Sequence, residues 1–516
     1  VADTVSKADG GTFDGNVTMA GTLATTGNAT FSGEIITSTS GTSNVRIGEN
    51  AGDAIASGGN YNTVVGDEAG TAITTGDGNT AVGFEALKTE DAHGFNTAVG
   101  YQTLKMQNAG AEGYNVAVGH QAGTAITTGI ANVIVGALAG DAMTTGLINV
   151  LVGTNAGSGL TEGLENVAMG HNSLLVDTKG QRSTALGYGT LAAQNFTSLT
   201  EVFNTAVGFN AGAAVTTGVK NTIIGGLAGD VLTDADFNVA VGYGALSEDH
   251  KGNKSTAIGA FALEAQEFTS SSDTNNTGVG YQAGASITTG PNNSCFGANA
   301  GDAITTGNAN ICLGGHAGSD ITTANNNIMI GYAAGSYNND FTTGSQNVCI
   351  GNYIIAGGNA DDYANALGYN LTAHGGYTTL GKGTDDIRAS HGSTTWSTVS
   401  DERYKKDIED AKAGLSFINA LKPRTFKYKT LGELPKTFSA YKANSTDVFK
   451  NDNTNHGFIA QEVKQVIDAD SDLKDGFKLW DERGDGSQEI AETALIPMLV
   501  KAIQELSAEV KALKGE

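Results

Sequence analysis

The sequence predicts a mainly β protein: an elongated β-solenoid or β-roll shaft of 17-residue repeats, then a small α+β domain ending in a coiled-coil helix. Three observations carry this reading. A glycine recurs at fixed spacing through most of the 516 residues. Composition changes abruptly near residue 400. The final stretch of the chain has a heptad seam.

The repeat is plainest over residues 115–165, NVAVGHQAGTAITTGIA NVIVGALAGDAMTTGLI NVLVGTNAGSGLTEGLE. Its marker glycine falls at 19 positions from Gly48 to Gly368, and 13 of the 18 intervals are 17 residues long. Four residues earlier stands Asn in 16 of 19 copies, with Ser183, Ser255 and Ala364 departing. Directly before the marker stands Val, Ile, Leu, Met or Phe. Each unit therefore reads as a short strand, a turn, a second short extended piece and another turn.

Strands this short form no stable sheet alone, so the copies are expected to stack. The Val/Ile column is expected inside, and the Asn column aligned and hydrogen-bonded along the stack. One rung per unit at about 4.8 Å gives a rod on the order of 90 Å. Thin columns of Ala and Val leave little core per chain, which favours an intertwined oligomer. Residues 41–383 form this shaft, and 384–400 a linker. Residues 1–40, which alternate Thr, Phe and Val with Gly-rich turns, form an upstream β fibre segment. The chain opens on Val1 without a secretion signal, as expected of the distal part of a longer protein.

Most units place Gly four residues after the marker. Three adjacent pairs place Leu there instead: Leu87 with Leu104, Leu174 with Leu191, and Leu246 with Leu263. A lengthened interval follows each pair, and such insertions in solenoids map to one face. The segments KMQNAGAEGY, AAQNFTSLTEVF and EAQEFTSSSDT are expected either to protrude as recognition loops or to be tolerated surface slack.

Charge and residue type exclude several functions. The chain has 29 Lys/Arg and 54 Asp/Glu, of which 18 and 21 lie after residue 400, leaving 11 and 33 before it, a net of −22. A surface so acidic repels nucleic acid and anionic headgroups. No run of 18 apolar residues is present, so no membrane insertion is expected. Three cysteines, an odd number, argue against a disulfide framework. All three (Cys295, Cys312, Cys349) occupy the place two before the marker, where small residues stack. His120 and His171 are three rungs apart, too far to share a metal, and no calcium or phosphate-binding motif occurs, so neither metal nor cofactor is expected. Glycan hydrolysis wants two carboxylates at a set separation, whereas Asp141, Glu162, Asp230 and Asp302 are scattered.

Residues 401–516 read as the compact α+β domain. DERYKKDIEDAKAGLSFINAL suits helical pieces broken at Gly414, RTFKYKT alternates like a strand, and HGFIAQEVKQVI turns into an amphipathic helix. Ile496, Leu499, Ile503, Leu506, Val510 and Leu513 follow 3,4 spacing, a seam for self-association. Its β-branched residues at one core position and Leu at the other favour two strands by themselves.

SDERYKKDI, LKPRTFKYK, HGFIAQEV and ALIPMLVKAIQELSAEVKALK together resemble the C-terminal intramolecular chaperone auto-peptidase domain of phage tail fibres and endosialidase-type tail spikes. The shaft repeats more loosely resemble the heads of trimeric autotransporter adhesins. The resemblance implies a homotrimer, hence three strands where the seam suggests two. It implies that this domain assembles the trimer and then cuts itself off at Ser400–Asp401, with Ser400 as nucleophile and Lys405 as base of a Ser–Lys dyad. A lysine is a base only when neutral, a state that burial favours, so cleavage would wait for assembly. Five residues on a helix lie about 140° apart, so Ser400 is expected as the N-cap, Lys405 reaching back and the helix N–H groups facing the oxyanion. The implied function is host-receptor attachment as a virion tail fibre, made in the host cytoplasm. A cell-surface trimeric adhesin and a tail spike with a glycan-degrading shaft are the alternatives.

Overall fold

The computed structural model describes residues 39–336, 341–471, 473 and 477–515. The expected upstream segment 1–40 lies outside these apart from its last two residues. The chain divides into two compact units, Val1–Val399 and Ser400–Glu516.

The first unit is a β-solenoid of about twenty turns whose repeat is about 17 residues long. Each marker glycine closes a short strand that pairs in parallel with its copy in the next rung. Val133–Val135 lies beside Val150–Val152, for example, with Ile134 opposite Leu151. The series runs from Val45–Ile47 to Asn365–Tyr369. Tyr377–Lys382 then adds in parallel, and Asp385–Ser390 folds back on it antiparallel. The stretch expected to be a linker, 384–400, thus begins with a strand.

The marker must be glycine for two reasons. At Gly136 φ is +141°, a region that L side chains rarely adopt. A Cβ there would also lie 2.4 Å from the carbonyl oxygen of Gly153 in the next rung. The asparagine column works as expected but mostly through the backbone. The Asn149 N–H donates to Asn132 Oδ1 at 3.0 Å, and its Nδ2 donates to the Gly163 carbonyl at 2.9 Å. Each carboxamide thereby satisfies backbone groups that the corner would otherwise bury unpaired.

The Val/Ile column is a correction. In a three-residue strand only the middle side chain faces inward, and that residue stands two before the marker, not one. Ala98, Ala117, Ile134, Leu151 and Cys312 are fully buried there. Their neighbours Val118, Leu186, Ile258, Leu313 and Leu367 point outward and are exposed. The solenoid therefore carries this column of Val, Ile, Leu, Met and Phe on the outside.

The leucine pairs also have a packing cause. In ordinary rungs a Cβ on Gly70 or Gly229 would meet Ile73 Cδ1 or Leu232 Cδ1 at 2.8 and 2.7 Å. A side chain four residues after the marker and an apolar one seven after it exclude each other. Leu87, Leu104, Leu174, Leu191, Leu246 and Leu263 fill that space from a backbone with φ of +48° to +56°. The place seven after the marker then turns polar: Glu90 and Gln107, Asp177 and Gln194, Asp249 and Gln266, all fully buried.

The second unit is a small α+β domain. Helix α1 (Leu415–Ala420), α2 (Ala460–Ala469) and α3 (Ile496–Lys514) surround a core that includes Phe417, Leu421, Val463, Ile467, Leu479 and Leu495. Arg424–Phe426 pairs antiparallel with Asn455–Gly457, and Trp480–Glu482 with Gln488–Ile490. Glu505 of α3 accepts the Leu415 N–H at 2.7 Å, capping α1. A Cβ on Gly414 would stand 2.5 Å from that carboxylate and displace it. The α3 seam residues Ile496, Leu499, Ile503, Leu506, Val510 and Leu513 are exposed.

Candidate active site

Ser400 opens the second unit, and the five residues after it decide what its hydroxyl meets. Glu402–Tyr404 forms a single 3-10 turn capped by Asp401, whose carboxylate accepts the Arg403 N–H at 2.8 Å. The same carboxylate binds the Arg403 side chain twice, at 3.0 and 2.7 Å. That pairing holds the Asp401 carboxyl below its ordinary range. Lys405 leaves the turn extended, with ψ of 149°.

The turn reverses the chain, with the Tyr404 N–H donating to the Asp401 carbonyl and the Lys405 N–H to the Glu402 carbonyl, and the long Lys405 side chain reaches back to residue 400. Lys405 Nζ donates to Ser400 Oγ at 2.8 Å. Both side chains are exposed in the single protomer. The two predicted residues of the dyad therefore touch, within one chain, at the predicted junction.

Two details differ from expectation. The cap is Asp401 rather than Ser400, because a carboxylate one residue nearer the turn outcompetes the hydroxyl for the Arg403 N–H. This leaves Ser400 Oγ to Lys405. The turn also does not continue as a helix; residues 405–413 are non-helical before α1. The N–H groups of Arg403, Tyr404 and Lys405 are taken by Asp401 Oδ1, the Asp401 carbonyl and the Glu402 carbonyl. None of those three is turned toward an oxyanion.

The surrounding framework ties the other resembling blocks together. Arg424, in the strand of RTFKYK, makes a paired contact with Glu462 of α2 at 2.9 and 2.6 Å. Arg424 holds the Glu462 carboxyl below its ordinary range. Residues 400–471 match the family described as chaperone of endosialidase. An endosialidase-chaperone domain follows the solenoid. Three of the four resembling blocks fall inside that match, while α3 lies beyond it. No curated protein and no solved structure matches the chain. A chaperone domain of this family implies trimer assembly followed by autocleavage.

In the solenoid, buried acid–amide pairs were missed by sequence reasoning. Asp177 accepts N–H groups of Gly180 and Phe196 at 3.1 and 3.0 Å and the Gln194 amide at 2.7 Å. Gln194 in turn donates to Ser183 Oγ at 3.0 Å and accepts from Asn204 at 2.9 Å, bridging the break in the asparagine ladder at Ser183. Asp249, Gln266, Ser255 and Asn276 repeat this network. Burial raises both the Asp177 and the Asp249 carboxyls above their ordinary range. The signal was present: polar residues recur seven after the marker wherever Leu stands four after it. The second and third insertions, expected as recognition loops or surface slack, add short parallel pairs, Thr200–Glu201 with Gly180–Gln181 and Ser272–Asp273 with Gly252–Asn253.

Proposed function

We propose that the chain is a phage tail fibre for host-receptor attachment. Its chaperone domain aligns three copies and then cuts the Ser400–Asp401 bond. The observation that carries this is the 2.8 Å contact of Lys405 Nζ with Ser400 Oγ, at the first residue of the segment similar to a chaperone of endosialidase. The outward apolar column of the solenoid and the exposed seam of α3 support the trimer. Both are surfaces that additional copies of the chain would cover. The cleaved shaft serves in the virion tail, and the chaperone domain is released in the host cytoplasm.

The proposed chemistry needs no cofactor. Assembly excludes water from Lys405, which favours its neutral amine. The amine takes the Ser400 hydroxyl proton, and Oγ attacks the carbonyl carbon of the Ser400–Asp401 bond. The tetrahedral oxyanion collapses, the C–N bond breaks, and the leaving Asp401 nitrogen takes the proton from Lys405. Water then hydrolyses the acyl–oxygen bond, restoring the hydroxyl and a carboxylate at Ser400. Attack on its own carbonyl closes a four-membered lactone, so hydrolysis follows at once and no ester-linked species accumulates.

Assembly is tested by expressing the full chain beside a chain stopped at Ser400. The full chain should give a soluble particle of three shafts by analytical ultracentrifugation, and the stopped chain an aggregate. A soluble trimer from the stopped chain would remove the chaperone role.

A further inference from the structure

The corner just after each strand carries aromatic rings in groups rather than in a continuous column. Phe84, Tyr101 and His120 stack with centroids 5.4 and 5.3 Å apart. His171, Tyr188 and Phe209 do the same at 5.3 Å. Tyr243, Phe261 and Tyr281 form a third group, and His316, Tyr332, Tyr353 and Tyr369 a fourth. Between the groups the residue following the marker is Ala137 or Thr154, Gly226, and Ala298.

The stack does not require the rings. The ringless rungs pair in the same register as the others, as Val133–Val135 and Val150–Val152 do. What folding needs in every rung, the marker glycine, is continuous. Rings that come and go while the scaffold does not are free to serve another purpose. They are also open to solvent: Tyr188, Tyr243, Tyr281, Tyr332 and Tyr369 are each about half exposed.

The fourth group is set in an open groove of about 630 Å³, within the usual size range of small-molecule sites. His316, Tyr332, Tyr353 and Tyr369 supply aromatic surface, while Asp320 and Asn370 line it with a carboxylate and a carboxamide. Flat aromatic faces beside a few polar groups suit flat ligands with an apolar face and a polar edge, either bases or sugar rings. The charge decides between them. The first 400 residues carry a net of −22, from 11 Lys/Arg against 33 Asp/Glu, and such a surface repels polyanions.

We propose that the groove of His316, Tyr332, Tyr353 and Tyr369 binds an uncharged oligosaccharide. This rests on the reading of the solenoid as an attachment fibre and names the receptor class. The test applies the assembled trimer, produced from the full chain, to an array of neutral and sialylated oligosaccharides. The wild type should retain neutral glycans, and a Tyr332→Ala/Tyr369→Ala variant should retain them about tenfold less. Tyr332→Phe/Tyr369→Phe, which keeps the rings, should lose much less, and Tyr61→Ala, an exposed ring outside the groups, nothing. Retention of no neutral glycan, or of sialylated ones alone, would overturn the proposal. So would dissociation or a lowered melting temperature of the Tyr332→Ala/Tyr369→Ala trimer, because the rings would then face another chain. Cleavage at Ser400, read by gel on the same preparations, reports separately on assembly.

Discussion

Lys405 leaves a single 3-10 turn in an extended conformation, and its long side chain reaches back to Ser400. Lys406, one residue on, has no such contact with Ser400. Lys405→Ala should therefore leave the chain uncut on a denaturing gel, and Lys406→Ala should leave cleavage intact; equal loss in both would mean that only local positive charge matters. The buried acids make a second prediction at this scale. Burial raises the Asp177 and Asp249 carboxyls, although the N–H groups of Phe196 and Phe268 and the amides of Gln194 and Gln266 act against it. A carboxyl raised on folding holds its proton in the native state where the unfolded chain has lost it. Stability is then highest below the unfolded value and falls as pH rises through the folded one. The melting temperature of the cleaved shaft should drop as pH rises above the ordinary carboxylate range. That slope should flatten in Asp177→Asn/Asp249→Asn, and an unchanged slope would contradict the assignment. Glu85 runs the other way. Lys105 and Lys88 hold it down at about 2, so its contribution is lost only on acidification below the ordinary carboxylate range.

At the scale of the rung, two positions exchange volume. Gly229, at φ +49°, would place a Cβ 2.7 Å from Leu232 Cδ1. Gly229→Leu alone should destabilise the shaft by about 1–3 kcal/mol through overpacking. Combined with Leu232→Gln, it reproduces the arrangement of the natural leucine pairs. The double variant should melt higher than the sum of the two single losses predicts, with a coupling of about 1 kcal/mol or more. Strict additivity would mean that the two positions do not share one space. The repeat itself was legible because its glycine and asparagine answer to the backbone: a φ that only glycine adopts freely, and N–H and carbonyl groups that only a carboxamide can bridge. Which apolar column faces inward was not legible. Val, Ile and Leu occur on both sides of a three-residue strand, and only the width of the interior selects the middle one. The Ser400–Lys405 proximity was legible only through the resemblance downstream, since SDERYKK alone also reads as a capped turn, and Asp401 does cap it.

At the scale of the molecule, the solenoid presents an outward column that includes Val118, Leu186, Ile258, Leu313 and Leu367, and α3 an exposed seam from Ile496 to Leu513. Surfaces of this kind are what three copies would share, and they make the account depend on assembly preceding the cut. Replacing Ile503 and Leu506 with Asp should remove the seam without touching the Ser400 contact. Cleavage should then fail together with trimerisation; a monomer that still cuts itself would separate the two events. The central claim is most directly tested by running the purified wild type beside Ser400→Ala on a denaturing gel. The last 116 of 516 residues in a 52.5 kDa chain predict a released fragment of about 12 kDa from the wild type. Ser400→Ala should give an assembled trimer of full-length chains. A correctly assembled wild-type trimer that stays full length, or a Ser400→Ala trimer that still releases the fragment, would contradict it.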